Sequence, residues 1–172
     1  MLELEKTYLA KYIPERLSQY PNKEVLDIYL PDDSEHPRLR IRKRGDKYEI
    51  TKKTKINEDD ASRQIEQTIE LDEKEFSSLA SAKGKKVRKL RYYMPYRGRT
   101  AEVDVFQDDL SGLIVVDFEF DSPEEQVAFE MPDFCLVDVT QETFIAGGML
   151  CGKTYSDIKK DLDRLSYKLL SI

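Results

Sequence analysis

Short runs of alternating apolar and polar residues recur along most of the chain, a pattern typical of β-strands whose two faces differ in polarity. Turn residues such as Pro31-Asp32-Asp33 and Ser111-Gly112 separate many of these runs. The predicted strands span residues 2–9, 24–30, 37–44, 47–56, 62–71, 86–94, 100–106, 113–120 and 134–139. The chain is therefore expected to be a mainly β (α+β) protein with an antiparallel sheet, in a single domain over residues 1–172.

Helical spacing of apolar residues is found in three further segments. Residues 73–82 and 123–130 are predicted as short helices. Residues 155–170 place Ile158, Leu162, Leu165 and Leu169 on one side and are predicted as a C-terminal helix.

Charged residues of one sign share a face within each predicted strand, because side chains at positions i and i+2 point the same way. Glu3 and Glu5 form one such pair, and the opposite face of their strand carries Leu2 and Leu4. The other sets are Arg38, Arg40 and Arg42; Thr51, Lys53 and Lys55; Gln64 and Glu66; Lys89 and Arg91; Glu102 and Asp104; and Asp117 and Glu119.

This segregation favours a closed sheet whose interior is lined by basic and acidic strands that face each other, with its apolar outer face covered by helices. Guanidinium and ammonium groups bind phosphate oxygens, and carboxylates bind hard divalent cations, so such an interior suits a polyphosphate bound together with a metal. A flat sheet with one solvated, charged face is the alternative interpretation of the same pattern.

Charge is also segregated along the chain, although the net charge is only −6. Residues 38–55 hold nine Lys or Arg, whereas residues 100–152 hold thirteen Asp or Glu and no Lys or Arg. The negative total disfavours a general nucleic-acid binder. The two cysteines and the single histidine cannot form a structural zinc site, and no leader or long apolar run is seen, so a cytoplasmic protein without membrane contact is expected.

The stretch GGMLCGKT, residues 147–154, matches the GxxxxGK(S/T) pattern of nucleotide-binding P-loops. A P-loop needs a parallel sheet with later strands, yet only 18 residues follow Thr154. The preferred interpretation is a glycine-rich turn that leads into the C-terminal helix. The only histidine, His36, is expected at the surface in the turn DDSEHP.

The charged strands, in their order along the chain, resemble the CYTH or triphosphate tunnel metalloenzyme family. That family is marked by an ExExK strand, an RxR strand, a TxK strand and a late strand with two carboxylates. The corresponding stretches here are Glu3-Leu4-Glu5, Arg40-Ile41-Arg42, Thr51-Lys52-Lys53, Lys89-Leu90-Arg91, Glu102-Val103-Asp104 and Asp117-Phe118-Glu119. The resemblance covers residues 2–155, nearly the whole chain.

The resemblance implies a closed eight-stranded antiparallel β-tunnel, with helices outside, that hydrolyses or cyclises triphosphates with Mg²⁺ or Mn²⁺. Glu3, Glu5 and Glu119 would be catalytic metal ligands, with Asp104 and Asp117 as further ligands. The phosphate-binding residues would be Arg40, Arg42, Lys53, Lys89 and Arg91. Lys55 and Glu66 are added to the site by parity alone.

Two positions depart from the family pattern. The lysine of ExExK would share a face with the two glutamates, but Thr7 stands at that place, and Lys6 points to the other face. Either a bulge redirects Lys6, or a lysine of another strand replaces it, or catalysis is altered. Asp117 replaces the first glutamate of the late pair, which shortens its reach by one methylene.

The leading functional interpretation is a metal-dependent triphosphatase that acts on inorganic triphosphate or on a nucleoside or thiamine triphosphate. An adenylate cyclase using the same tunnel and a non-catalytic polyphosphate- or nucleotide-binding module are the alternatives. Stacking of single-stranded nucleic acid on Tyr92, Tyr93 and Tyr96 is disfavoured by the acidic wall. The expected partner is thus a small-molecule triphosphate, and the oligomeric state is left open.

Overall fold

Nine antiparallel strands form one sheet that closes on itself in the computed structural model, which describes residues 1–171. The sheet order is β5-β4-β3-β2-β6-β7-β8-β1, and β1 pairs back with β5 through Leu2–Leu4. The strands are β1 (Leu2–Ala10), β2 (Asn22–Leu30), β3 (Leu39–Arg44), β4 (Lys47–Asn57), β5 (Asp60–Leu71), β6 (Lys85–Tyr96), β7 (Arg99–Phe106), β8 (Ile114–Glu119) and β9 (Cys135–Asp138). The predicted closed eight-stranded barrel is confirmed.

The ninth predicted strand also forms, but it lies outside the closed ring. One edge of β1 pairs with β8, and the other edge pairs first with β5 and then with β9. The β9 pairing begins at Tyr8, beyond the point where β5 diverges from β1. Strand β9 therefore pairs with the part of β1 that lies beyond β5, and it is not one of the eight strands of the closed barrel.

Four helices accompany the barrel, and three of them begin at a side-chain cap. Asp72 accepts hydrogen bonds at the start of one helix, Ser122 at the next and Thr154 at the last. The helices are α1 (Glu73–Ala80), α2 (Pro123–Ala128), α3 (Gly147–Leu150) and α4 (Tyr155–Arg164). Within residues 1–171, no helix is long and apolar enough to cross a membrane.

The C-terminal helix ends earlier than the apolar spacing predicts. It stops at Arg164, because Ser166 adopts the left-handed backbone conformation with φ of 61° and the chain turns back. Tyr167 is then buried, and its hydroxyl donates to the carbonyl of Gly112 at 2.9 Å. The extension of the predicted helix to residue 170 is therefore wrong.

The hydrophobic core lies mainly outside the barrel, as the alternating pattern indicates. Outward side chains such as Tyr8, Val103 and Phe118 are buried under the segment that carries Phe129 and Phe134. A smaller cluster packs Phe76 of α1 against Ile28 and Ile41. Strand β5 is the exception, because its outward Ile65 and Ile69 are exposed. The core thus surrounds most of the barrel and leaves the larger part of its interior polar.

One end of the barrel interior is filled by apolar residues of the C-terminal segment. Inward side chains from four strands pack there with Ile145 and Leu150. They are Tyr29 of β2, Val87 of β6, Phe106 of β7 and Val115 of β8. The two glycines at the start of α3 permit this closure, since a Cβ on Gly147 would lie 2.2 Å from the Tyr29 hydroxyl and a Cβ on Gly148 2.2 Å from the Pro37 carbonyl oxygen.

Candidate active site

A cavity of about 290 Å³ lies inside the barrel and is lined by the inward side chains of all eight strands. Every residue singled out for the site from the sequence lines it. These residues are Glu3, Glu5, Arg40, Arg42, Lys53, Lys55, Glu66, Lys89, Arg91, Asp104, Asp117 and Glu119. The fold brings them together because each occupies an inward position of its strand. Their roles as metal ligands or phosphate contacts stay predictions.

The carboxylates of β7, β8 and β1 form one continuous wall, because these three strands are neighbours in the sheet. Glu5 lies opposite Glu119 in the pairing of β1 with β8, and Glu102 lies opposite Asp117 in the pairing of β7 with β8. Most cations come from the strands on either side, namely β6 beyond β7 and β4 and β3 beyond β5. A basic wall therefore flanks the acidic wall on both sides.

Lys53 joins the two walls at the β1 end. Its Nζ lies 2.6 Å from Oε1 of Glu3, 3.7 Å from Oε2 of Glu5 and 3.5 Å from Oε2 of Glu66. The second carboxylate oxygen of Glu3 is buried without a hydrogen-bond partner among residues 1–171. One ammonium group thus contacts three carboxylates, while one buried oxygen of Glu3 has no hydrogen-bond partner among residues 1–171 and could accept a cation.

Burial raises the pKa of three carboxyl groups of the acidic wall, which disfavours their charged form. Burial raises the pKa of Glu3 to about 7, and the Glu5 charge adds to this, while Lys53 opposes it. Burial together with the charges of Glu5 and Asp104 raises the pKa of Asp117 well above its usual range. The pKa of Glu119 is raised by burial and then by Glu102 and Glu5. The wall is therefore poised to accept a further cation.

Asp104 is the most completely paired carboxylate of this wall. Arg91 donates to it from Nε and from Nη2, both at 2.6 Å, and Lys89 donates to the same group. Arg91 also contacts Glu102, and its Nη2 lies 3.3 Å from Oδ2 of Asp117. Asp104 therefore anchors two cations, whereas Asp117 and Glu119 are more available to a ligand.

Two residues of β2 that the sequence analysis did not select also line the cavity. Asp27 accepts two hydrogen bonds from Arg42, and the Tyr29 hydroxyl accepts one from Arg40 at 3.4 Å. In the sequence, Asp27 is the acidic residue of the otherwise apolar run VLDIYL, which could have indicated an inward position. It does not belong to a pair of like charges, because neither residue two positions away is acidic. Arg40 keeps a buried Nε without a partner in the described chain, which makes it a ready donor to an anion.

Thr7 stands at the place of the ExExK lysine, and the ammonium group near the two glutamates is that of the TxK lysine, Lys53. Lys6 points outward, with Nζ 3.4 Å from the carbonyl of Phe129, so no bulge redirects it. Lys53 of β4 supplies the ammonium group near both glutamates of β1. Thr7 places its hydroxyl 3.0 Å from Oε1 of Glu5 and 2.9 Å from Oδ1 of Asp117, and so links the two carboxylate strands.

The glycine-rich stretch and His36 meet at the closed end of the cavity. Gly147 and Gly148 belong to the short helix α3 and line the cavity, whereas Lys153 is not among the lining residues of the described chain. Thr154 caps α4, which agrees with a turn leading into a C-terminal helix. The surface position expected for His36 is wrong, since this residue is half-buried, lines the cavity and would contact a Cβ on Gly148 at 3.0 Å.

Comparison with known proteins gives relatives of one kind. An inorganic triphosphatase from Nitrosomonas europaea is 34% identical over 146 residues, which cover 83% of this chain and 91% of the relative. The chain belongs to the inorganic triphosphatase family. A second inorganic triphosphatase, from Acetivibrio thermocellus, is 31% identical over 74 residues, which cover 43% of this chain and 46% of that protein. No protein-family model matches the chain.

Solved structures agree with membership of the inorganic triphosphatase family. A crystal structure of an inorganic triphosphatase superimposes with a TM-score of 0.63 at 27% identity and covers 88% of this chain and 95% of its own. A protein from Pyrococcus horikoshii superimposes with a TM-score of 0.52 at 18% identity, covering 96% of this chain and 91% of its own. This second likeness extends the fold alone to a more distant protein.

Proposed function

We propose that the chain is a triphosphatase of the CYTH or triphosphate tunnel metalloenzyme type, which hydrolyses inorganic triphosphate inside its barrel with Mg²⁺ or Mn²⁺. The observation that carries this proposal is that cations and carboxylates face one another across a single cavity. A triphosphate needs cations for its oxygens, and a metal bound with it needs carboxylates. The names of the relatives favour inorganic triphosphate over organic triphosphates.

The donors in the cavity fit a hard divalent cation. The acidic wall offers carboxylate oxygens from Glu5, Asp117 and Glu119, and the buried Oε2 of Glu3 has no partner in residues 1–171. In the described part of the chain, no group of three or more Asp, Glu, His or Cys side chains is placed so that it could hold a metal ion by itself. This arrangement suits Mg²⁺, which is usually held by one or two carboxylates together with substrate phosphates and water.

The basic residues would bind and orient the triphosphate. Arg40 and Arg42 of β3 present guanidinium groups to the cavity, and such groups match phosphate oxygens in a bidentate manner. Lys53 reaches toward the carboxylates of β1 and would contact a phosphate that lies beside them. Charge neutralisation by these groups would stabilise the phosphoryl transfer, which depends mainly on positioning and electrostatics.

The chemical step would be attack of water on a terminal phosphorus, with cleavage of its bond to the bridging oxygen and release of phosphate and diphosphate. A bound divalent ion would supply charge neutralisation at the phosphate oxygens. Glu5 and Glu119, adjacent in the β1–β8 pairing, would orient the attacking water. No side-chain nucleophile is needed for this step.

The test is a product assay with the purified chain on tripolyphosphate, ATP and thiamine triphosphate, with Mg²⁺ and Mn²⁺ supplied separately. We expect phosphate release from tripolyphosphate and much slower release from the two organic triphosphates. Pyrophosphate and cyclic AMP from ATP would instead indicate a cyclase. Tight tripolyphosphate binding without any product would indicate a binding module. Undiminished turnover in EDTA would contradict the metal dependence.

The proposed enzyme would act on a small molecule in the cytoplasm. Cys135 and Cys151, the two cysteines of the chain, are both free and buried, as expected in a reducing compartment. Mass spectrometry of the protein isolated from its own cells, with thiols blocked at lysis, would check that both remain reduced.

A further inference from the structure

A deeply buried ion pair that lines the cavity joins Asp27 of β2 to Arg42 of β3. Asp27 is 2% exposed and Arg42 is 6% exposed. Arg42 donates from Nε to Oδ1 at 2.6 Å and from Nη2 to Oδ2 at 2.8 Å, which is a bidentate contact. The two residues lie directly opposite each other in the β2–β3 pairing, so the backbone register sets their distance.

The contact with Asp27 occupies only one edge of the Arg42 guanidinium group. Of its five N–H groups, two are used by Asp27, while both hydrogens of Nη1 and one of Nη2 remain. Oε1 of Glu49 lies 4.0 Å from Nη1, beyond hydrogen-bond range. We propose that Asp27 is a positioning residue for substrate binding, which holds Arg42 by one edge so that its other edge donates to a phosphate group of the triphosphate.

The proposal rests on the proposed function in taking inorganic triphosphate as the anion. Removing Asp27 should change the affinity for triphosphate in a direction that distinguishes the positioning role from two simpler roles. If Asp27 acted only through its charge, its removal would make the cavity more positive and would tighten triphosphate binding. If it served stability alone, its removal would lower the melting temperature and leave KM unchanged. A positioning role predicts weaker binding, because Arg42 then has to be ordered by the substrate.

The chain offers a matched control for this contact. Arg88 donates to Asp108 from Nε at 2.8 Å and from Nη2 at 2.6 Å, which is the same bidentate geometry. This second pair lies on the surface, and neither residue lines the cavity of the described chain. Asp108→Asn therefore removes the same kind of contact without touching the site, and it should leave KM within about twofold of the wild-type value.

The experiment compares Asp27→Asn, Asp108→Asn, Arg42→Ala and the double variant Asp27→Asn/Arg42→Ala. KM and kcat for tripolyphosphate are measured, together with its dissociation constant by calorimetry in EDTA. We expect Asp27→Asn to raise KM and the dissociation constant about tenfold and to change kcat less than threefold. In the Arg42→Ala background the same change should alter neither constant by more than about twofold.

An unchanged or lowered KM in Asp27→Asn would overturn the proposal, and so would an equal effect with and without Arg42. If Asp27→Asn gives no folded protein, Asp27→Glu takes its place. It keeps the charge but displaces the carboxylate by a methylene, and the same rise in KM is expected. The wild-type protein tests the proposed function separately. If it neither binds nor hydrolyses tripolyphosphate, the proposed function is wrong, and this is known before any variant is compared.

Discussion

Nζ of Lys53 lies 2.6 Å from Oε1 of Glu3, and this contact crosses from the basic strand β4 to the acidic strand β1. The two strands are not neighbours, since β5 lies between them in the closed sheet. The pair therefore exists only because the barrel closes through the β1–β5 pairing. It leaves the other oxygen of Glu3 buried without a partner in residues 1–171, and burial raises the pKa of this carboxyl group.

The first prediction concerns the pH dependence of stability without metal. The pKa of Glu3 is raised from 4.5 to about 7 in the folded chain, first by burial and then by Glu5. Between these values the folded chain retains a proton that the unfolded chain has lost, so stability falls as pH rises through this window and levels off above it. We expect the free energy of unfolding in EDTA to fall by about 3 kcal/mol because of Glu3.

Thermal unfolding from pH 4.5 to 8 would measure this slope, with Glu3→Gln as the control. The raised pKa values of Asp117 and Glu119 act in the same direction, whereas the lowered pKa of His36, caused by burial and then by Arg38 and Lys55, opposes them. The difference between wild type and variant isolates the Glu3 contribution. Parallel curves for the two proteins over the whole range would contradict the prediction.

The second prediction compares the effect of removing a carboxylate in the cavity with that of removing a carboxylate on the surface. Glu5→Gln keeps the shape of the side chain but removes a charge that would hold a hard cation, so activity on tripolyphosphate should fall about a hundredfold, or roughly 2.7 kcal/mol. Glu130→Gln is the matched control, because the Glu130 side chain is 85% exposed and its contact is with surface Arg97. Its activity should stay within about twofold. Equal rates for the two variants at saturating Mg²⁺ would remove Glu5 from the site.

The sequence predicts the barrel and most of its lining for a simple physical reason. A strand fixes which side chains share a face, so a run such as Arg40-Ile41-Arg42 already places both arginines on the same side. The sign of the charge then separates the acidic strands from the basic ones. Which strand lies beside which is set by long-range pairing: the family resemblance implies a closed eight-stranded tunnel, whereas the pairing of β1 with both β5 and β8 is seen only in the structure.

What the sequence does not reveal are contacts between strands that are distant along the chain. Asp27 was missed because it is a single acid on its face, and only its pairing opposite Arg42 gives it a role. The closed end was missed because nothing local indicates that Gly147 meets Tyr29, more than a hundred residues earlier in the sequence. His36 was misplaced for the same reason, since the α3 segment covers its turn.

The third prediction concerns Thr7, whose hydroxyl lies between Glu5 and Asp117. Thr7→Val keeps the shape but removes the hydroxyl that contacts both carboxylates and can donate to one of them, so kcat should fall about tenfold while the fold survives. Thr7→Ser retains the hydroxyl and should keep kcat within about threefold of wild type. Steady-state kinetics on tripolyphosphate would check both variants. A Val variant as active as wild type would mean that the hydroxyl has no part in arranging the acidic wall.

The fourth prediction tests the P-loop pattern directly. Lys153 does not line the cavity of the described chain, so Lys153→Ala should change kcat/KM less than about threefold. A working P-loop lysine would neutralise charge on the transferred group, and its loss would cost several kcal/mol. The same assay that compares Glu5→Gln with wild type would decide the matter. An inactive Lys153→Ala together with an active Glu5→Gln would overturn the assignment of the site to the barrel.

The last prediction concerns the closed end of the barrel, where the backbone of α3 contacts Tyr29. A Cβ on Gly147 would lie 2.2 Å from the Tyr29 hydroxyl oxygen, far closer than real contacts allow, and 3.1 Å from Cζ, which is also tight. Gly147→Ala should therefore displace the segment that carries Ile145 and Leu150 and cost about 1–3 kcal/mol of stability, as overpacking does. Thermal unfolding would measure the loss.

The compensating change is Tyr29→Phe, which removes the hydroxyl that meets the new methyl group. In the Gly147→Ala background it should recover a large part of the lost stability, although the ring carbon stays close. In the wild-type background it removes only the weak 3.4 Å contact from Arg40 and should change the melting temperature little. The two substitutions are thus expected to be strongly non-additive. If their effects on unfolding simply add, the glycine is not what allows the C-terminal segment to close the barrel against Tyr29.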